Sequence, residues 1–201
     1  MKIKFSKIEI RDLAKAWIAI SIAFAIVLSG EILGVNFLVN ILVAAITVGT
    51  GFLFHELGHK FVAQKYGCYA EFRADNYMLF LAIILAVILK VIFIAPGAVM
   101  IAGRVSKKRN GLISLAGPAV NIVFAVLFLI ASFFVSGGFL SRIVDFGFVI
   151  NALLAAFNLI PVWVLDGKKI WNWNRLVWFI SFSISVILMV ISYKYFIPTL
   201  F

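Results

Sequence analysis

The residues best suited to chemistry in this 201-residue sequence are its two histidines, His55 and His59, which stand four apart in Phe54-His55-Glu56-Leu57-Gly58-His59. Residues at that spacing share one helix face, so both imidazoles reach a single metal ion while Glu56 lies to one side. Metal-assisted hydrolysis needs this set: two neutral nitrogen ligands, and an unligated carboxylate that takes a proton from a bound water. The plainer alternative is a polar network satisfied between helices. It is disfavoured because ionisable groups inside apolar segments are costly and are kept for function. His55, Glu56 and His59 are therefore read as a metal site.

The elements that must position this motif are membrane helices. Hydrophobic residues make up 65% of the chain and charged ones 13%, with a mean hydropathy of +1.16. A soluble domain is about half apolar and a quarter charged, so this composition excludes a water-soluble globule and a disordered tail. One cysteine and four prolines exclude disulfide-stapled and proline-rich scaffolds. The net charge of +10 marks cytoplasmic loops and anionic headgroups in so apolar a chain, with no nucleic-acid partner.

Crossing a bilayer takes about 20 apolar residues. The candidate runs are 14–33, 37–54, 77–96, 112–135, 143–165 and 176–197. Basic residues gather before the first run, after the second (Lys60, Lys65, Arg73), before the fourth (Arg104, Lys107, Lys108, Arg109) and after the fifth (Lys168, Lys169, Arg175). Positive residues stay in the cytoplasm. The run from Tyr77 to Pro96 has such a cluster at each end, so it is expected to be re-entrant or interfacial, leaving five full spans instead of six. Segments 2–5 and 97–105 alternate at period two and are expected as short strands at the cytoplasmic rim.

Catalytic zinc wants a third protein ligand and an open position. Cys68 is one candidate, although a lone cysteine reads first as a small buried hydrophobe. Glu9 and Asp12 lie in the basic N-terminal arm and read as surface pairs. Glu31 and Asp145 fall at the far ends of their spans, and Glu71 and Asp75 read as solvated loop charges. Asp166 remains, ending the fifth run at its cytoplasmic end. Spacing alone does not separate it from an ordinary helix-end charge.

His55-Glu56-Leu57-Gly58-His59, then Gly117-Pro118-Ala119-Val120-Asn121, then Asn158-Leu159-Ile160-Pro161 with Leu165-Asp166-Gly167 stand in one order along the chain. Together they resemble the site-2 protease family of intramembrane zinc metalloproteases. The resemblance implies one Zn²⁺ per chain held by His55, His59 and Asp166, with Glu56 as general base and Asn121 and Asn158 near substrate or oxyanion. The chain departs from the family pattern where Lys168-Lys169 follow Asp166-Gly167.

The expectation is thus an all-α polytopic membrane protein with short rim strands, forming one membrane-embedded metalloprotease domain over 1–201. It would be a multi-pass protein of a cell membrane, its site toward the cytoplasm. The expected activity is hydrolysis of peptide bonds in or near transmembrane segments. Its partners are the lipid bilayer and single-span or other membrane-protein substrates. A helical substrate must unwind to expose its carbonyls, and the strand beginning at Gly97 is expected to hold the unwound peptide by strand addition. The rival class is a non-catalytic metal-binding membrane protein or transporter, which would spread polar sites over two matching halves. Trp171, Trp173 and Trp178 are read as an aromatic belt. Gly49, Gly51 and Gly58 are read as close helix approaches, and Pro118 and Pro161 as bends, the second aiming Asp166.

Overall fold

The computed structural model describes residues 4–29, 34–90 and 97–195. Helix α1 (Lys7–Ser29) is followed by α2 (Val35–Ala44), which passes through a π-helical turn at Ala45–Gly49 into α3 (Thr50–Lys65). The last two form one apolar helix of 31 residues. The π turn widens the hydrogen-bond ladder just ahead of the histidine motif. Trp17 of α1 bonds into it, its Nε1 donating to the Ala45 carbonyl at 3.0 Å.

Strand β1 (Tyr69–Ala74), helix α4 (Asn76–Leu89) and strand β2 (Gly97–Ala102) come next. The chain closes with α5 (Lys107–Ser132), α6 (Gly138–Asn158), α7 (Asp166–Trp173) and α8 (Arg175–Tyr195). Among the described residues, five helices are long and apolar enough to cross a membrane: α1, α2–α3, α5, α6 and α8. The main core lies where α1, α3, α6 and β1 meet, and includes Ile20, Phe24, Phe52, Phe72, Phe146 and Ile150.

The described flanks of the run from Tyr77 to Pro96 lie side by side. Strands β1 and β2 pair antiparallel, with Ala74 opposite Gly97, so the segment between them starts and ends at the same place. Helix α4, at 14 residues, rises about 21 Å, short of the about 30 Å of a bilayer's hydrocarbon. It is capped by the Asp75 carboxylate, which accepts from the amides of Tyr77 and Met78.

Several expectations need correction. Val105 lies beyond β2, and its partner strand β1 was read as a polar stretch. Of segment 2–5, Lys2 and Ile3 lie outside the described residues, and Lys4 and Phe5 form no strand. The helix ends at Asn158, three residues before Pro161, so Pro161 follows a break and makes no bend. Asp166 opens α7 after an irregular turn, whereas the sequence placed it at the end of the fifth apolar run.

Glu9, Asp12 and Glu71 are buried, contrary to the solvated roles expected of them. Asp12 does pair with Arg11 and Lys15. Glu9 forms a fully buried ion pair with Lys60, one residue past His59. Its other oxygen accepts from the Phe72 amide at 2.8 Å. Glu71 accepts from Ser6, Tyr69 and Arg73. These bonds tie the N-terminal arm and β1 to the helix that carries the histidines.

Candidate metal centre

The helical spacing of His55 and His59 places their Nε2 atoms 3.1 Å apart. Asp166 meets them there, its Oδ2 lying 3.0 Å from His59 Nε2 and 3.4 Å from His55 Nε2. All three residues are buried. Asp166 reaches this point because the turn after α6 folds back on itself. A Cβ on Gly167 would sit 2.1 Å from the Leu159 carbonyl oxygen, so only glycine allows the approach. Trp178 of α8 donates its Nε1 to the same carbonyl at 2.8 Å. Trp171 stacks edge-on against Trp178. These tryptophans, read as an aromatic belt, thus brace the aspartate-bearing turn.

Each histidine has its other ring nitrogen engaged. His59 Nδ1 lies 2.7 Å from the carbonyl of Ile113, which can only accept, so Nδ1 carries the hydrogen and the neutral ring keeps Nε2 for a ligand. His55 Nδ1 lies 2.5 Å from Asn121 Oδ1. Asn121 Nδ2 donates to the Gly51 carbonyl and to Asn151 Oδ1, which together turn its own oxygen toward His55. Both Nε2 atoms therefore present lone pairs to one point, beside a carboxylate.

This donor set fits zinc. Ligands about 2.0–2.1 Å from a tetrahedral ion lie about 3.3 Å from one another, and the observed separations of 3.0, 3.1 and 3.4 Å bracket that edge. Gly117 of α5 leaves the space free. A Cβ there would lie 2.4 Å from His59 Nε2 and 2.6 Å from His55 Nε2. Two imidazoles and one carboxylate make the usual three-ligand set of a catalytic centre, with a position left open.

Glu56 points into the same space without joining the cluster. Its Oε2 accepts from the Val99 amide of β2 at 3.1 Å. Val99 is the register partner of Phe72, whose amide is held by Glu9. The two carboxylates thus grip the ribbon at one register position from its two edges. That grip sets β2 against the site.

The centre opens into a cavity of about 660 Å³ lined by Phe24 and Val27 of α1, Leu153 and Phe157 of α6, and Gly97 and Val99 of β2. Asn158 is on its wall, its Nδ2 donating to the Leu154 carbonyl at 2.9 Å. Gly97 lies at the ribbon's end, where a Cβ would meet the Arg73 carbonyl oxygen at 2.3 Å. Lys169 also lines the cavity, its Nζ 3.5 Å from Asp166 Oδ1. Asn121 differs from its expected place near substrate: it is fully buried behind His55 and absent from the cavity wall. Cys68 is buried against Ala63, Ala70 and Ile113 and stands outside the cluster.

Asn151 of α6 went unremarked in the sequence. It is fully buried and accepts from Asn121 Nδ2 through its Oδ1 at 3.0 Å. Its signal was available: an amide inside an apolar run, seven residues before Asn158 and so on the same helix face.

The sequence is similar to that of a protein of Methanocaldococcus jannaschii named "putative zinc metalloprotease", with 41% identity over 178 residues, 87% of this chain and 89% of the relative. A second protein of that organism, named zinc metalloprotease, is 30% identical over 120 residues, 58% of this chain and 29% of its own length. No family model matches the chain, and no solved structure matches it.

Proposed function

The chain belongs to the zinc metalloprotease family of its archaeal relatives, and from that premise we propose that it is an intramembrane endopeptidase of the site-2 protease type. The observation that carries this reading is the buried His55–His59–Asp166 cluster beside Glu56, opening into a cavity walled mostly by apolar side chains. His59 stands six residues from the end of α3 at Lys65, which puts it about 9 Å inside the helix end. The helix ends around the cluster carry Lys65, Lys107, Lys108, Arg109 and Lys168. Positive residues favour the cytoplasmic side, so the site lies just below the cytoplasmic surface of a cell membrane.

His55, His59 and Asp166 would hold one Zn²⁺. Bound there, the ion supplies Lewis acidity toward a substrate carbonyl and an attacking water. Glu56 takes the proton of that water on its carboxylate and passes it to the amine nitrogen of the departing peptide. The apolar cavity excludes bulk water and strengthens each electrostatic contact. Asn158, on the wall beside the cluster, is placed to hold the substrate backbone. The substrate is a membrane protein whose spanning segment unwinds and adds to the site-facing edge of β2 from Gly97 onward, beside the Val99 amide that Glu56 holds.

The test uses zinc-loaded protein in detergent with a single-span substrate, and product ends mapped by mass spectrometry. Cuts in or beside the apolar segment support the reading. Cuts confined to polar tails, or none at all, contradict it.

A further inference from the structure

We propose that Asn151 is a positioning residue for the metal centre: acting through Asn121, it fixes which nitrogen of His55 faces the site. The inference rests on the zinc reading above and adds to it a residue one step behind the ligand's own partner. It follows from the direction of each bond. Asn151 Nδ2 donates to the Gly147 carbonyl at 2.9 Å, and a carbonyl only accepts, so the amide has one orientation. Its Oδ1 then faces Asn121 and takes one Nδ2 hydrogen at 3.0 Å. The other Nδ2 hydrogen goes to the Gly51 carbonyl at 3.2 Å. With both hydrogens committed, Asn121 can offer His55 only its oxygen. His55 Nδ1 must carry the hydrogen, and Nε2 is left bare toward His59 and Asp166.

Without the Asn151 oxygen, the longer bond to Gly51 alone opposes a flip of Asn121. A flipped Asn121 presents N–H to His55 Nδ1 and favours the tautomer with hydrogen on Nε2, which cannot ligate. His59 needs no such chain because its Nδ1 meets a backbone carbonyl directly. The facing helix is shaped for the amide as well. A Cβ on Gly51 would lie 2.7 Å from Asn151 Oδ1.

The experiment measures zinc affinity by competition with a chromophoric chelator, alongside the melting of the zinc-free protein. Asn151→Leu keeps the branched shape, with more bulk, and removes the acceptor, whereas Asn151→Asp restores an acceptor for Asn121. Outer partners of metal-bound histidines are worth 10–100-fold in affinity, so Leu is expected to weaken zinc binding about tenfold or more, and Asp by no more than about threefold. Gly51→Ala crowds the same amide from the opposite helix and is expected to weaken zinc like Leu, which keeps the test intact if Asn151→Leu does not fold. The proposal is overturned if Leu binds zinc as the unaltered protein does, or if Asp loses as much as Leu. His55→Ala separates the two readings. Zinc retained by that variant sinks the metal centre itself, while zinc lost there but kept by Asn151→Leu and Gly51→Ala sinks the relay alone.

Discussion

Replacing Gly117 with alanine puts the metal centre and the helix that walls it in opposition. The new Cβ would stand 2.4 Å from His59 Nε2 and 2.6 Å from His55 Nε2, about 1 Å inside ordinary contact. Neither ring can slide away freely, because His55 Nδ1 is held at 2.5 Å by Asn121 and His59 Nδ1 at 2.7 Å by Ile113. Alanine improves helix propensity by up to about 1 kcal/mol, and overpacking costs about 1–3 kcal/mol. The fold should therefore lose no more than about 2–3 kcal/mol and still form. The ligands should not tolerate the change, since a site needs its groups within about 0.5 Å of the productive geometry. Disturbing an outer partner alone costs up to about 100-fold, so displacing two ligands directly should cost at least that, about 2.7 kcal/mol. The assay is zinc retained against rising chelator, with helical content followed by circular dichroism. Zinc affinity within about threefold of the unaltered protein would refute the reasoning, because that outcome needs both rings to move at almost no cost.

The remaining predictions concern the supports of the site. Lys60→Met leaves Glu9 buried without its partner and should destabilise the fold by about 3–5 kcal/mol, read by thermal or denaturant unfolding; Glu9→Gln with Lys60→Met should recover much of that loss. A double variant no more stable than Lys60→Met would show that the pair is not the source. The hydroxyl of Ser6, then that of Tyr69, holds Glu71 down from the usual 4.5 to about 2. A depressed folded pKa stabilises above the unfolded value, so this contribution is full above pH about 4.5 and lost as pH falls toward 2. Melting of the unaltered protein should drop more steeply across that window than melting of Glu71→Gln, and parallel curves would remove the assignment. Single cysteines replacing Asp75 and Lys107, in a Cys68→Ser background, should be labelled from the same side of the membrane. Labelling from opposite sides would contradict the paired ends of β1 and β2.

The readable parts of the sequence were those with a local signature. The spacing of His55 and His59 fixes a shared helix face within one turn, and the alternation after Gly97 showed β2. The charge clusters around 77–96 predicted an excursion that returns to its starting side, and the pairing of Ala74 with Gly97 brings the two flanks of that segment together. The unread parts depend on distant partners. Glu9 and Glu71 look solvated in a basic, polar stretch, yet Lys60 lies 51 residues from Glu9 and Ser6 lies 65 from Glu71. Burial of such groups is decided by those partners, which no window of sequence contains. Spacing left Asp166 open for the same reason. What places it is a turn packed on Leu159 and braced by Trp178. Asn121 was placed near substrate by resemblance, while its bonds commit it to His55.

Glu56 is the residue on which binding and chemistry part. It touches the site's space and is held by Val99, but it is no member of the ligand cluster. Glu56→Gln keeps the shape and removes the base, so zinc content and cleavage of a single-span substrate should be measured on one preparation. The account predicts one zinc per chain, as in the unaltered protein, with cleavage reduced about 10²–10⁴-fold or more. Cleavage at the unaltered rate, or loss of the zinc itself, would contradict it.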